Sequence, residues 1–80
     1  MDNSIITIKE YGKIKIRLKE IMDSRGISRN SLSKGTNTRY EVISKWYNNN
    51  VEKLDLDVLA RLCFVLDCTP QELIEYEYQK

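Results

Sequence analysis

Residues 29–46, RNSLSKGTNTRYEVISKW, leave the chain few ways to fold. Ser28, just ahead of them, is a good N-cap, because its hydroxyl can accept from a free backbone N–H. Leu32 and Ser33 follow one turn later. Asn37 stands where the chain must reverse, and asparagine takes a positive φ more readily than most non-glycine residues. Ile43 and Trp46 then return as an apolar pair, with Val42 beside them. Two short helices, over about 28–36 and about 39–47, joined by a tight turn would account for this spacing. Such a unit leaves the outer face of its second helix free to protrude.

The rest of the chain supplies support for that unit. Residues 1–12 alternate loosely through Ile6 and Ile8 and stop at Gly12, as a short strand or an arm would. The alternation continues through Ile14, Ile16 and Leu18, but Ile14, Leu18 and Ile21 also fit a helical stripe. A first helix over about 15–25 is expected, with Leu18, Ile21 and Met22 on one face. Arg25 followed by Gly26 reads as its stop. Asn48-Asn49-Asn50 is a breaker. Asp55 caps a fourth helix carrying Leu56, Val58, Leu59, Leu62, Cys63, Val65 and Leu66, the most apolar of the set and so the central one. Thr69-Pro70-Gln71-Glu72 is a capping box with proline at the first helical position. A fifth helix presenting Leu73, Ile74 and Tyr76 should follow. The expected architecture is therefore an all-α, compact five-helix domain over residues 13–78, preceded by an arm over residues 1–12.

Composition narrows the function classes. At 80 residues the chain makes one small domain, and 41% hydrophobic with 31% charged residues suits a folded one. No apolar run approaches the roughly 18 residues needed to span a bilayer. The N-terminus lacks a basic region followed by an apolar block, so a cytoplasmic location is expected. The net charge of +1 hides an asymmetry, because residues 9–45 hold ten Lys/Arg against four Asp/Glu, and residues 46–80 hold three against seven. A basic first half fits a face built for a polyanion, and it also fits ordinary solvated surface. Two cysteines without any histidine fall short of the usual zinc patterns and of a disulfide scaffold. Cys63 reads as a small core residue. Asp67 is the wrong neighbour for making Cys68 a reactive thiol. With no histidine and no glycine-rich phosphate loop, no catalytic constellation is visible, and neither an enzyme nor a metal or cofactor site is expected.

The motifs taken together resemble the Cro/lambda-repressor type of helix-turn-helix, the XRE family, over nearly the whole chain from Ile14 to Tyr76. Ile27-Ser28-Arg29-Asn30-Ser31-Leu32-Ser33 looks like the family's second helix, usually written L-S-Q-E-E-L-A. Asn37 occupies the usual turn glycine, and Ile43-Ser44-Lys45-Trp46 resembles I-S-R-W. The stretch from Leu66-Asp67-Cys68-Thr69-Pro70 to Glu75-Tyr76 is similar to the close of a compact subgroup. Departures lie at the turn, where Thr36 and Thr38 replace apolar residues and are expected to loosen its packing. Ser31 stands where a capping-box glutamate is common.

The resemblance implies that the third helix enters the major groove of double-stranded DNA. It implies Tyr40, Glu41 and Lys45 as base readers, with Arg39 and Ser44 beside them. Lys45 or Arg39 could donate to guanine, Glu41 could accept from cytosine N4, and Tyr40 could meet a thymine methyl or a phosphate. Arg29 matches the family's phosphate-clamping position, and Lys34, Asn48, Asn49 and Lys53 are further phosphate candidates. Taken by themselves, Arg39, Glu41 and Lys45 would fit an ordinary solvated face tied by ion pairs. Lys13, Lys15 and Arg17 are either a basic flank or plain surface. Trp46 has core spacing, although an aromatic there could also stack on unpaired bases. The resemblance implies a small transcriptional regulator, a repressor, bound as a homodimer to a pseudo-palindromic operator. Residues 1–12 and the EYEYQK tail are the segments left over to make that dimer, and strand pairing through Ile6 and Ile8 is the expected contact. The alternative is a protein-interaction module such as an antitoxin or an adaptor with a protein partner.

Overall fold

Local devices set the limits of each helix. A computed structural model describes residues 11–78. Within them α1 (Leu18–Arg25), α2 (Arg29–Thr36), α3 (Tyr40–Tyr47), α4 (Leu56–Leu66) and α5 (Pro70–Leu73) follow β1 (Lys13–Ile16) and precede β2 (Ile74–Glu77). Gly26 ends α1 in the left-handed region at φ 67°, where a side chain would be strained. Ser28 caps α2 by accepting from the Ser31 N–H at 3.0 Å. Asn37 ends α2 at φ 51°, so the asparagine does turn the chain. Asp55 caps α4 by accepting from the N–H groups of Asp57 and Val58. The capping box at Thr69 forms, with the Thr69 N–H donating to Glu72 Oε1 at 2.7 Å.

The core is one cluster drawn from every element except β2, whose Ile74 packs against it half-buried. Leu18 and Met22 of α1, Leu32 of α2, and Ile43 and Trp46 of α3 meet Val58, Leu59, Leu62 and Leu66 of α4. Leu73 of α5 and Ile16 of β1 close it. Trp46 is 1% exposed, which makes it a core residue and removes it from any surface stacking. α4 is central as its composition suggests, but it buries a narrower stripe than expected. Leu56 and Val65 are exposed, because a helix packed on one side has room for only four large residues on its inner stripe.

The chain ends depart from the helical expectation. Residues 13–16 are a strand and not the start of the first helix, and α1 begins only at Leu18. The expected fifth helix stops after Leu73, and Ile74 and Tyr76 lie in a strand instead. β1 and β2 pair antiparallel, with Lys13 opposite Glu77, Ile14 opposite Tyr76, Lys15 opposite Glu75 and Ile16 opposite Ile74. The physical reason is in the pattern: KIKI and IEYE alternate strictly, and pairing them sets apolar residues on one face and opposite charges on the other. A helix would have spread Ile74 and Tyr76 around its axis and left Ile16 uncovered. Gly12, at φ 82°, passes so close to the Glu77 carbonyl oxygen that no Cβ would fit. The expected pairing through Ile6 and Ile8 lies outside the described residues.

The cysteines are half-buried and unpaired. Burial, followed by the nearby Cys63 thiol and Glu72 carboxylate, pushes the Cys68 thiol up to about 11. At pH 8 its thiolate is therefore scarcer by about two orders of magnitude than that of an ordinary thiol. Alkylation of native protein by iodoacetamide should be slowed at Cys68 accordingly, relative to the unfolded chain. Because the folded pKa is raised, the associated stability is full below about pH 8.5 and is lost as pH rises toward 11. A thermal melt series across that range should show the decline.

Candidate nucleic-acid interface

α2 and α3 are held at a fixed angle by a turn that is stitched with hydrogen bonds. Thr36 is 4% exposed, and its hydroxyl donates to the Leu32 carbonyl at 2.7 Å. Thr38 Oγ1 donates to the Thr36 carbonyl at 3.1 Å, and Ser33 Oγ donates to the Thr38 carbonyl at 2.5 Å. The expectation that threonines loosen this turn is therefore corrected. Their hydroxyls find partners, so the buried polar atoms are satisfied and the turn is pinned. A residue that the sequence reading passed over adds to this. Arg61 of α4 donates to the Asn37 carbonyl at 2.9 Å and pairs with Asp57 Oδ2 at 2.8 Å. The four-residue spacing of Asp57 and Arg61 was the only sequence signal for it.

Arg29 occupies the first turn of α2, where backbone N–H groups lack intrahelical acceptors. Its guanidinium lies 4.8 Å from the Tyr47 ring centre and 5.8 Å from that of Tyr40. Each such contact is worth about 0.5–1 kcal/mol at an exposed site. The Tyr47 hydroxyl donates to Asp23 Oδ1 at 3.0 Å, and Lys19 Nζ pairs with Asp23 Oδ2 at 2.9 Å. The Asp23 carboxyl is held below its usual range by the Lys19 hydrogen bond first and the Tyr47 hydroxyl second. An arginine is thus aimed by two tyrosines, one of which is anchored back to α1. The Asp23 carboxylate lies behind Tyr47 and is paired with Lys19, so it does not neutralise the guanidinium.

α3 carries the other candidates. Arg39 is its N-cap and is exposed, as are Tyr40, Glu41 and Lys45, while Ser44 is half-buried. The ion pairs among the described residues are Lys15–Glu20, Arg17–Glu75, Lys19–Asp23 and Arg61–Asp57. None of them involves Arg39, Glu41 or Lys45, so the ion-paired cluster that a plain solvated face would carry is not formed. Lys34 and Asn48 are exposed at the ends of α2 and α3. Asn49 sits at φ 60° and its Oδ1 accepts from the Ile16 N–H at 2.8 Å. That oxygen ties the loop after α3 to β1 and leaves only the amide nitrogen to face a ligand. Lys53 lines a cleft beside the end of α3 together with Lys45, Glu52 and Asp55, a mixed-sign wall. Lys13 stands opposite Glu77 in the sheet, Lys15 pairs with Glu20 of α1 at 3.9 Å, and Arg17 pairs with Glu75 at 2.5 Å, so each cation of the basic flank has a carboxylate beside it.

The family model for the Cro/C1-type helix-turn-helix DNA-binding domain matches residues 17–79. The chain belongs to that family. It is a DNA-binding domain of the kind that transcription regulators use, and the fold agrees. A crystal structure of a candidate DNA-binding protein from Bacteroides fragilis superposes with a TM-score of 0.69 at 22% identity, covering 79% of this chain and 100% of that one. The transcriptional regulator VanUg superposes with a TM-score of 0.65 at 20% identity, covering 91% of this chain and 97% of that one. Among curated proteins no significant match is found. Among the described residues, no helix is long and apolar enough to cross a membrane.

Proposed function

We propose that this Cro/C1-type domain is a small cytoplasmic repressor that binds a pseudo-palindromic duplex operator as a homodimer, with α3 in the major groove. The observation that carries the reading is the clamp at Arg29, a guanidinium set over Tyr40 and Tyr47 at the start of α2. A phosphate received there would be met by an oriented cation and by free N–H groups at the helix terminus. That contact would hold α3 in register while its exposed residues meet base edges.

The roles follow from side-chain chemistry. Lys45 and Arg39 donate to guanine O6 and N7, Glu41 accepts from cytosine N4, and Tyr40 touches a thymine methyl. Ser44, half-buried, contributes a short hydroxyl contact. Lys34, Asn48 and the Asn49 amide serve the backbone. The test is a binding titration on duplex DNA over a range of salt with Tyr40→Ala, Glu41→Ala and Lys45→Ala beside the unaltered chain. Binding should weaken steeply with salt, and each variant should lose about 1–3 kcal/mol of sequence discrimination; Glu41→Ala and Lys45→Ala should change affinity for random duplex less, whereas Tyr40→Ala also takes a ring from beside Arg29 and should lower it. Equal discrimination in all four proteins would remove these residues from the reading head.

A further inference from the structure

Three helices of the domain end in the same way. After α1, α2 and α4 a residue in the left-handed region turns the chain. The next N–H then bonds back to an earlier carbonyl: Ile27 to Met22 at 3.0 Å, Thr38 to Ser33 at 3.0 Å and Cys68 to Cys63 at 3.1 Å. Such a cap brings the side chains of the two bonded residues together on one face. In α1 the pair is apolar, and in α2 it is polar, with Ser33 Oγ donating to the Thr38 carbonyl at 2.5 Å. In α4 the pair is two thiols. The backbone bond keeps the Cys63 and Cys68 Cα atoms within about 7 Å even with every link extended, and the bend of a real hydrogen bond brings them into the range a disulfide spans. The Cys63 thiol also lies within hydrogen-bonding reach of the Cys68 sulfur. Both side chains are half-buried at the edge of the core, where a small oxidant can reach them.

We propose that Cys63 and Cys68 form a reversible disulfide within one chain when it meets a hydroperoxide, locking the C-terminal end of α4. Cys63 reacts first, because burial holds the Cys68 thiol in its protonated form. The Cys63 sulfur, giving up its proton, attacks one oxygen of the peroxide. The O–O bond breaks, the other oxygen leaves as water or an alcohol, and Cys63 becomes a sulfenic acid. The Cys68 sulfur then attacks the Cys63 sulfur. The S–O bond breaks, and the departing hydroxide takes the Cys68 proton and leaves as water. Two thiols lose two electrons in all, and one peroxide gains them. A thiol held next to its target can complete this second step without ionising in advance, so the raised Cys68 group suits the resolving position and not the attacking one. The bond closes a short ring and restricts the unfolded chain, so it favours the fold when the native geometry accepts it. It acts on the helix that supports the recognition unit, since Arg61, two positions before Cys63, donates to the Asn37 carbonyl in the α2–α3 turn.

The proposal is independent of the DNA reading and is tested without DNA. The full chain is reduced, freed of reductant and exposed to hydrogen peroxide under native conditions. Trypsin leaves both cysteines on one peptide, residues 62–80, because no Lys or Arg lies between them. In the mass spectrum that peptide should be lighter by two hydrogens, and dithiothreitol should restore it. No disulfide-linked dimer should appear on a non-reducing gel. The oxidised chain should melt higher than the reduced one, by about 5 °C or more. Dimedone, which traps sulfenic acids, should label Cys68→Ser after peroxide treatment and leave Cys63→Ser unlabelled. Thiols that survive peroxide in the folded chain, or oxidation that yields only linked dimers or sulfinic acid, would overturn the proposal. An oxidised chain that melts lower than the reduced one would do so as well, since the bond would then form only at the expense of the fold. Dimedone labelling of Cys63→Ser and not of Cys68→Ser would overturn the order of the two steps. The first three readings use the unaltered chain, so they stand even if a serine variant fails to fold.

Discussion

Trp46→Ala should leave the domain close to unfolded at physiological temperature. The indole is 1% exposed and packs among Leu18, Met22, Leu62 and the other core residues from the inner face of α3. Truncating a buried tryptophan to alanine costs about 3–5 kcal/mol, through lost transfer free energy and the cavity that remains. A domain of this size holds only about 4–12 kcal/mol in total. The melting temperature, followed by far-ultraviolet circular dichroism, should drop by at least about 12 °C on the scaling for small domains. DNA binding would be lost with the fold, since the same ring that fills the core also fixes the depth and tilt of α3. Lys45→Ala, one position away on the outer face, should melt within about 0.5 kcal/mol of the unaltered chain. A Trp46→Ala protein melting within a few degrees of the original would mean that α3 is not seated as described.

Arg29→Ala should weaken binding to every duplex by a similar factor and lower the slope of affinity against salt by about one charge. The side chain is the one cation on α2 that the fold aims, through the Tyr40 and Tyr47 rings. Arg29→Lys should recover only part of the loss. An ammonium keeps the charge but lacks the planar fork that stacks on aromatic faces and grips two phosphate oxygens. Tyr47→Phe removes the anchor to Asp23 while leaving a ring beneath the guanidinium, and it should fall between the two. Fluorescence anisotropy with a labelled duplex at several salt concentrations reads all of these. An Arg29→Ala protein whose salt slope is unchanged would take Arg29 out of the phosphate contact.

The helix-turn-helix is legible in the sequence because each of its parts has a local cause. A serine cap, an asparagine at positive φ and an apolar pair at helical spacing act over a few residues, and they hold in the structure. The sheet was less legible because its two strands lie at opposite ends of the described chain. KIKI alternates, but it runs into a helix, and IEYE follows a strong helix-start signal. The alternation of Ile74, Tyr76 and Tyr78 with polar residues carried the strand signal, and the capping box at Thr69 masked it. At the interface, the residue types could be read but their neighbours could not. Nothing local tells that Tyr47 lies beneath Arg29, that Arg61 latches the turn, or that Asn49 is held by the Ile16 N–H. Those contacts are made by the packing of α1, α2 and α4 around α3.

The most direct test of the central claim, that α3 reads duplex DNA, is a selection of bound sites from a random duplex pool, run in parallel with Tyr40→Ala, Glu41→Ala and Lys45→Ala. The account predicts an enriched pseudo-palindrome with half-sites about one helical turn apart, and loss of preference at particular base pairs in each variant. A pool that stays random, or an enriched sequence that none of the three substitutions alters, would contradict it.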